Sequence, residues 1–86
     1  MPRAYAWLAD QVRRAAASVP FNISEGNGTR ARREYLRYLG IARGSLNEVE
    51  GAVEYMRGKA LATTADIDAL RRHVAHTGRL LAALIR

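Results

Sequence analysis

Residues 35–56 read "YLRYLGIARGSLNEVEGAVEYM". The apolar positions Tyr35, Leu39, Ala42, Leu46, Val49, Val53 and Met56 are spaced 4-3-4-3-4-3. A 3.6-residue helix puts all of them on one face, whereas a strand would need every second residue to be apolar. This is a heptad seam, and such seams pack helices nearly side by side at about 20°. The same period continues on both sides. Ile67, Leu70, Val74, Thr77, Leu81 and Leu84 are spaced 3-4-3-4-3, and Tyr5, Leu8, Val12, Ala15 and Val19 repeat the pattern upstream. No stretch alternates in the manner of a strand. The expected fold is all-α, an antiparallel up-down helical bundle of the four-helix type with three long helices in this chain. Residues 1–86 make a single domain with helices at about 4–26, 29–57 and 64–85.

Caps suggest those limits. Thr29 precedes "RARREY" and is expected to cap the second helix, with Gly26 and Gly28 ending the first. Gly58 stands where a left-handed residue closes a helix. Thr63 lies three residues before Asp66, a capping-box spacing with Asp in place of Glu. The links are short, so sequence neighbours are expected to be antiparallel neighbours in space. Apolar residues also spill beyond the seams: Trp7, Leu36, Tyr38, Ile41, Tyr55, Leu80 and Ile85 lie on flanking positions. A second apolar stripe requires a further partner, either another helix or another subunit.

At 86 residues the chain buries a modest core, and small domains of this kind are reinforced by disulfides, metals or partner subunits. The absence of cysteine excludes the first and any thiolate metal site, which leaves oligomerisation. No apolar run approaches the ~20 residues of a membrane span, and the N-terminus lacks the apolar core of a signal peptide. The expectation is a cytoplasmic protein without a membrane partner. Arginine supplies 13 of the 14 cations, Lys59 being the exception. Residues 1–43 carry eight cations and three acids, a net +5, and residues 44–86 carry six and five, a net +1. An uneven arginine surface of this sort suits phosphates.

Three groups of residues carry candidate chemistry. Ser18, Asn22 and Glu25 share a helical face if the helix runs through Pro20, and Arg14 extends that face. No nucleophile–base pair or second carboxylate completes a catalytic set. These residues therefore read as a structural kink: Pro20 removes a backbone donor, Ser18 and Asn22 satisfy freed groups, and Glu25 holds an arginine. Gly40 and Gly44 form a small step in the second helix, expected to seat the first helix closely, with Ser45 bonding Asn22 or Glu25. His73 and His76 read as a solvated or half-buried pair and not as metal ligands, so neither metal nor cofactor is expected. Arg30, Arg33 and Arg37 are expected to line one face of the second helix, with Arg32 to the side and Arg13 and Arg14 contributed by the first helix. Together they form the expected nucleic-acid-binding set.

The stretches "QVRRAAASVPFNISEGNG" and "REYLRYLGIARGSLNEVEGAVEY" resemble the four-helix-bundle family of 23S rRNA intervening-sequence proteins. That family's pattern runs Gln-Leu-Arg-Arg-Ala-Ala-x-Ser-Ile-Pro-x-Asn-Ile-Ala-Glu-Gly, then Glu-Phe-Ile-Arg-Phe-Leu-x-Ile-Ala-x-Gly-Ser-Leu-x-Glu-Leu-Glu. Here it is met by Gln11, Arg13, Arg14, Ser18, Pro20, Asn22, Glu25, Gly26, Glu34, Arg37, Gly44, Ser45 and Glu48, among others. The resemblance implies four antiparallel helices and a ring-shaped homopentamer. It extends to the accessory variability proteins of diversity-generating retroelements, basic pentamers that bind nucleic acid and a reverse transcriptase. By that analogy RNA or DNA and a protein such as a reverse transcriptase are expected partners, and no enzymatic activity is expected. The family has a helix before the "Gln-Leu-Arg-Arg" segment, and Met1 falls near its end. A vacancy there is expected to expose Leu8, Val12, Tyr38 and Ile41.

Overall fold

The structure is a computed structural model that describes residues 1–85. A single 3₁₀ turn, Arg3–Tyr5, leads into α1 (Ala6–Asn27), followed by α2 (Arg32–Gly58) and α3 (Thr64–Ile85). There is no strand among the described residues. The second helix starts two residues later than its cap signal suggests. Thr29 does not cap α2; its hydroxyl donates to the Gly26 carbonyl at 2.8 Å and closes the end of α1 instead. Ala31 takes the N-cap place without a side-chain bond. The third start follows the sequence signal, since the Asp66 amide donates to Thr63 Oγ1 at 3.1 Å.

The end of α2 also departs from expectation. Gly58 is the last helical residue, and the left-handed position is Ala60, with φ of 53°. The Leu61 amide reaches back to the Met56 carbonyl at 3.0 Å and the Ala60 amide to Arg57 at 3.1 Å. These two bonds form a Schellman motif, and Leu61 packs beside Met56 as that motif favours. The left-handed position thus falls two residues beyond Gly58, although glycine is the usual residue there. Here the hydrogen-bond pattern places an alanine in it.

α2 is the central helix. Trp7 meets Tyr55, Ser18 meets Ser45 and Gly26 meets Tyr35 and Tyr38, so numbers rise along α1 as they fall along α2. Arg71 meets Glu54 and Gly78 lies against Leu46, so α3 reverses direction again. Among the described residues the backbones of α1 and α3 make no close approach to each other, and both helices pack on α2. The result is a layer. Its radius of gyration is 14.3 Å and its extents are 44 × 22 × 14 Å, against about 12 Å for a compact chain of this length.

The seam of α2 supplies most of the core. Leu8, Ala15, Val49, Val53, Met56 and Ile67 cluster towards one end, and Val19, Leu39, Ala42, Leu46 and Leu81 towards the other. Each buried Leu, Ile, Val or Met side chain contributes about 1.5–3 kcal/mol. Leu8 is 5% exposed, which corrects the expectation that a vacancy would uncover it. The floor of the layer is α2, and Leu8 is inserted against that floor. Val12 and Tyr38 are half-buried, and only Ile41 of the four is exposed. An apolar groove of about 440 Å³ lies between α1 and α3, walled by Ala16, Pro20 and Ile23 on one side and Leu70, Val74 and Thr77 on the other.

Candidate nucleic-acid interface

The "SVPFNISEGN" stretch is helical throughout, with Pro20 inside α1. Asn22 Nδ2 donates to the Ser18 carbonyl at 2.8 Å and to Ser18 Oγ at 2.9 Å. Ser45, buried on α2, donates to Ser18 Oγ at 2.7 Å. Ser45 therefore bonds Ser18 and not Asn22 or Glu25. Glu25 is exposed and makes no ion pair among the described residues, so it does not hold an arginine. These hydroxyls serve to join two helices, and no acid–base pair stands next to them.

Gly40 and Gly44 do not seat α1. Both face open space, and nothing lies within 4 Å of where a Cβ would stand. The close approach is at Gly26, where a Cβ would meet Tyr38 Cβ at 3.2 Å and the Tyr35 ring at 3.3 Å. The register places α1 over Tyr38 and Ser45, on a different face of α2 from the bare glycines. Gly26, expected only to end α1, is therefore a point of close helix approach.

The six arginines divide into two groups. Arg30 lies in the link before α2, which corrects its placement on a helical face with Arg33 and Arg37. Arg32 and Arg33 open α2. Arg37 lies one turn on, bonded to Glu34 at 3.1 and 3.3 Å and stacked 4.4 Å above the Tyr38 ring. The hydrogen bond from Arg37 to the Glu34 carboxylate, and the charge on that carboxylate, raise the Arg37 pKa, so the guanidinium holds its proton more tightly. Arg13 and Arg14 lie about 20 Å away along the α1 axis, with Arg13 paired to Asp10 at 2.6 Å. The electropositive feature is thus the α1–α2 end of the layer. Arg30, Arg32 and Arg33 crowd there onto a helix N-terminus whose N-cap residue provides no side-chain acceptor. The helix N-terminus and the guanidinium groups beside it both favour an anion.

At the other end, Glu54 accepts a two-pronged bond from Arg71 at 2.7 and 2.9 Å and one from Arg57 at 3.0 Å. Those bonds lower its pKa, the Arg71 contact most. His73 and His76 are both exposed. No group of three His, Cys, Asp or Glu residues is arranged to hold a metal among the described residues. Among the described residues no helix is long and apolar enough to cross a membrane.

The fold has a solved counterpart. A crystal structure of a protein of unknown function from the S23 ribosomal protein family of Bacteroides thetaiotaomicron superposes with a TM-score of 0.87. The match covers 92% of this chain and 73% of that one at 23% identity, so the likeness is one of fold. A search of curated proteins finds no match. The model of the 23S rRNA-intervening sequence protein family matches residues 3–83. With nearly its whole length accounted for, the chain belongs to the 23S rRNA-intervening sequence protein family.

Proposed function

We propose that the chain is the subunit of a cytoplasmic, homo-oligomeric and pentameric scaffold, without catalytic activity, that binds RNA or DNA non-specifically through arginine. Its architecture in this reading is an up-down bundle of the four-helix type, with the α1–α3 groove as the open fourth position. The observation that carries the nucleic-acid reading is the gathering of Arg30, Arg32 and Arg33 at the N-terminus of α2. Repetition around an assembly turns that modest cluster into a continuous positive surface. Affinity built on phosphate contacts falls steeply with salt and is indifferent to base sequence.

A second reading makes the chain a protein-interaction module with no nucleic-acid role. It is favoured by large apolar side chains left in solvent, Phe21 and Trp7 foremost. A gel shift across a salt series separates the two. Binding to duplex and single strands that weakens steeply with salt, and is abolished by joint Glu substitution of Arg30, Arg32 and Arg33 with the assembly intact, supports the first. No binding by an intact oligomer at low salt sinks it.

A further inference from the structure

A pocket of about 310 Å³ lies between α1 and α2, lined by Trp7, Gln11 and Ala15 of the first helix and Glu48, Ala52 and Tyr55 of the second. That is the small end of the range for ligand pockets. The spacings 7, 11, 15 and 48, 52, 55 each follow one face of a helix. Ala15 and Ala52 carry only methyl groups, so the space between the helices stays open. One end is aromatic: the Trp7 and Tyr55 rings meet edge to face at 6.2 Å, and each is about half in solvent. The other end is Glu48, about 10 Å along α2 from Tyr55. Asp10, Glu34 and Glu54 are all engaged by arginines, yet among the described residues Glu48 makes no ion pair. Arg14 stands level with it, in the register that sets Ser18 on Ser45, and is not bonded to it. The aromatic end already has a cation, since Lys59 Nζ lies 5.9 Å from the centre of the Tyr55 ring.

We infer that this pocket takes the arginine side chain of a basic protein partner. A carboxylate without a cation, at one end of an apolar and aromatic cleft, matches a side chain with an apolar stem and a charged head. The stem lies against Trp7 and Ala52, and the head reaches Glu48. Guanidinium is favoured over ammonium because its fork meets both oxygens of a carboxylate and its flat face lies well on a ring. The Gln11 amide oxygen offers a further acceptor. A phosphate is repelled here by Glu48. Arg32, at the phosphate-favouring end, lies about 24 Å from Glu48 along α2. One subunit therefore has room for a nucleic acid and a basic protein together. The net charge of +6 repels basic partners in general, so binding has to come from this local match. The inference goes beyond the nucleic-acid reading and does not depend on it.

A hydrogen–nitrogen correlation spectrum tests it through the indole N–H of Trp7, a single peak because the chain has one tryptophan. Acetylarginine amide is expected to shift that peak saturably, its lysine counterpart to bind more weakly, and the neutral citrulline counterpart to leave the peak in place. Glu48→Gln is expected to weaken arginine binding about ten-fold. Ala52→Leu, which fills the pocket, is expected to abolish it, with helix content by circular dichroism unchanged in both variants. Joint Glu substitution of Arg30, Arg32 and Arg33 is expected to leave arginine binding as it is. No shift with arginine, equal shifts with lysine or citrulline, or indifference to Glu48→Gln overturns the inference and leaves the nucleic-acid reading standing. A Trp7 peak that moves when the protein alone is diluted, and not when arginine is added, shows a subunit contact in place of the pocket and also overturns it.

Discussion

Ser45 Oγ donates to Ser18 Oγ across 2.7 Å, joining α2 to α1 at mid-length inside an otherwise apolar contact. Ser18 also accepts from Asn22, so one hydroxyl serves two donors. The two serines are therefore not equivalent. Ser45→Ala removes a donor and leaves Ser18 partnered, at a cost of about 1 kcal/mol or less. Ser18→Ala leaves the Ser45 hydroxyl, 8% exposed, without an acceptor, and costs about 1–3 kcal/mol. Urea unfolding at one fixed protein concentration gives the order, and the reverse order contradicts the account of which group accepts.

Gly26 and Gly44 respond to the same substitution with opposite signs. Gly44→Ala gains helix propensity in open space and stabilises by up to about 1 kcal/mol. Gly26→Ala gains the same propensity but drives a methyl to within 3.2 Å of Tyr38 Cβ, a contact that neither helix backbone can yield without shifting. Overpacking of that kind costs about 1–3 kcal/mol, so the net change is destabilising. Thermal midpoints of the two variants decide the matter. Equal gains at both positions mean the helices are not in contact at Gly26.

Ala60 is left-handed in a motif that prefers glycine. A residue with a Cβ is strained there by about 1 kcal/mol. Ala60→Gly is expected to raise stability by roughly that amount despite glycine's greater freedom in the unfolded chain, without altering helix content. Unfolding midpoints measure it. No gain, or a loss, means the Schellman bonds of Ala60 and Leu61 do not hold in solution.

Glu54 sets a pH dependence whose sign follows from its partners. Arg71 and Arg57 stabilise the ionised carboxylate and depress its pKa in the folded chain. The unfolded chain then binds the proton more readily, so this contribution is present above the ordinary carboxylate pKa and is lost as pH falls through the folded value. The three side chains are well exposed, so the effect is small. Glu54→Gln is expected to lower the unfolding midpoint near neutrality and to converge with the wild type in acid. A constant gap across the whole range removes the ion pair as the cause.

What the sequence makes legible is periodicity, and what it hides is registration between helices. The seam from Tyr35 to Met56 is readable because burial on one face of a helix leaves a 3-4 trace whatever the partner. The Thr63 start is readable because its cap lies within three residues. Thr29 failed for a related reason. A threonine hydroxyl can bond forward to an amide or back to a carbonyl, and here it bonds back to Gly26. Gly40, Gly44 and Gly26 are alike in the chain, and only the offset between α1 and α2 decides which of them meets a neighbour. The arginines were separated by the same offset: Arg13 and Arg14 lie near the middle of the layer and Arg30 to Arg33 at its end. A pattern that belongs to one helix survives in the string, whereas a relation between two helices has to be measured.

Trp7 is the only tryptophan in the sequence. Its indole is more than half in solvent and packs edge-on at 6.2 Å from the Tyr55 ring. A separated chain should therefore emit at long wavelength and be quenched readily by iodide. A subunit contact over this face covers the indole and excludes water, so emission shifts to the blue and quenching falls. Dilution should then reverse both changes over the same concentration range in which the mass drops. An emission spectrum that does not change while the mass does places Trp7 outside the subunit contacts, as an open pocket beside Tyr55 requires.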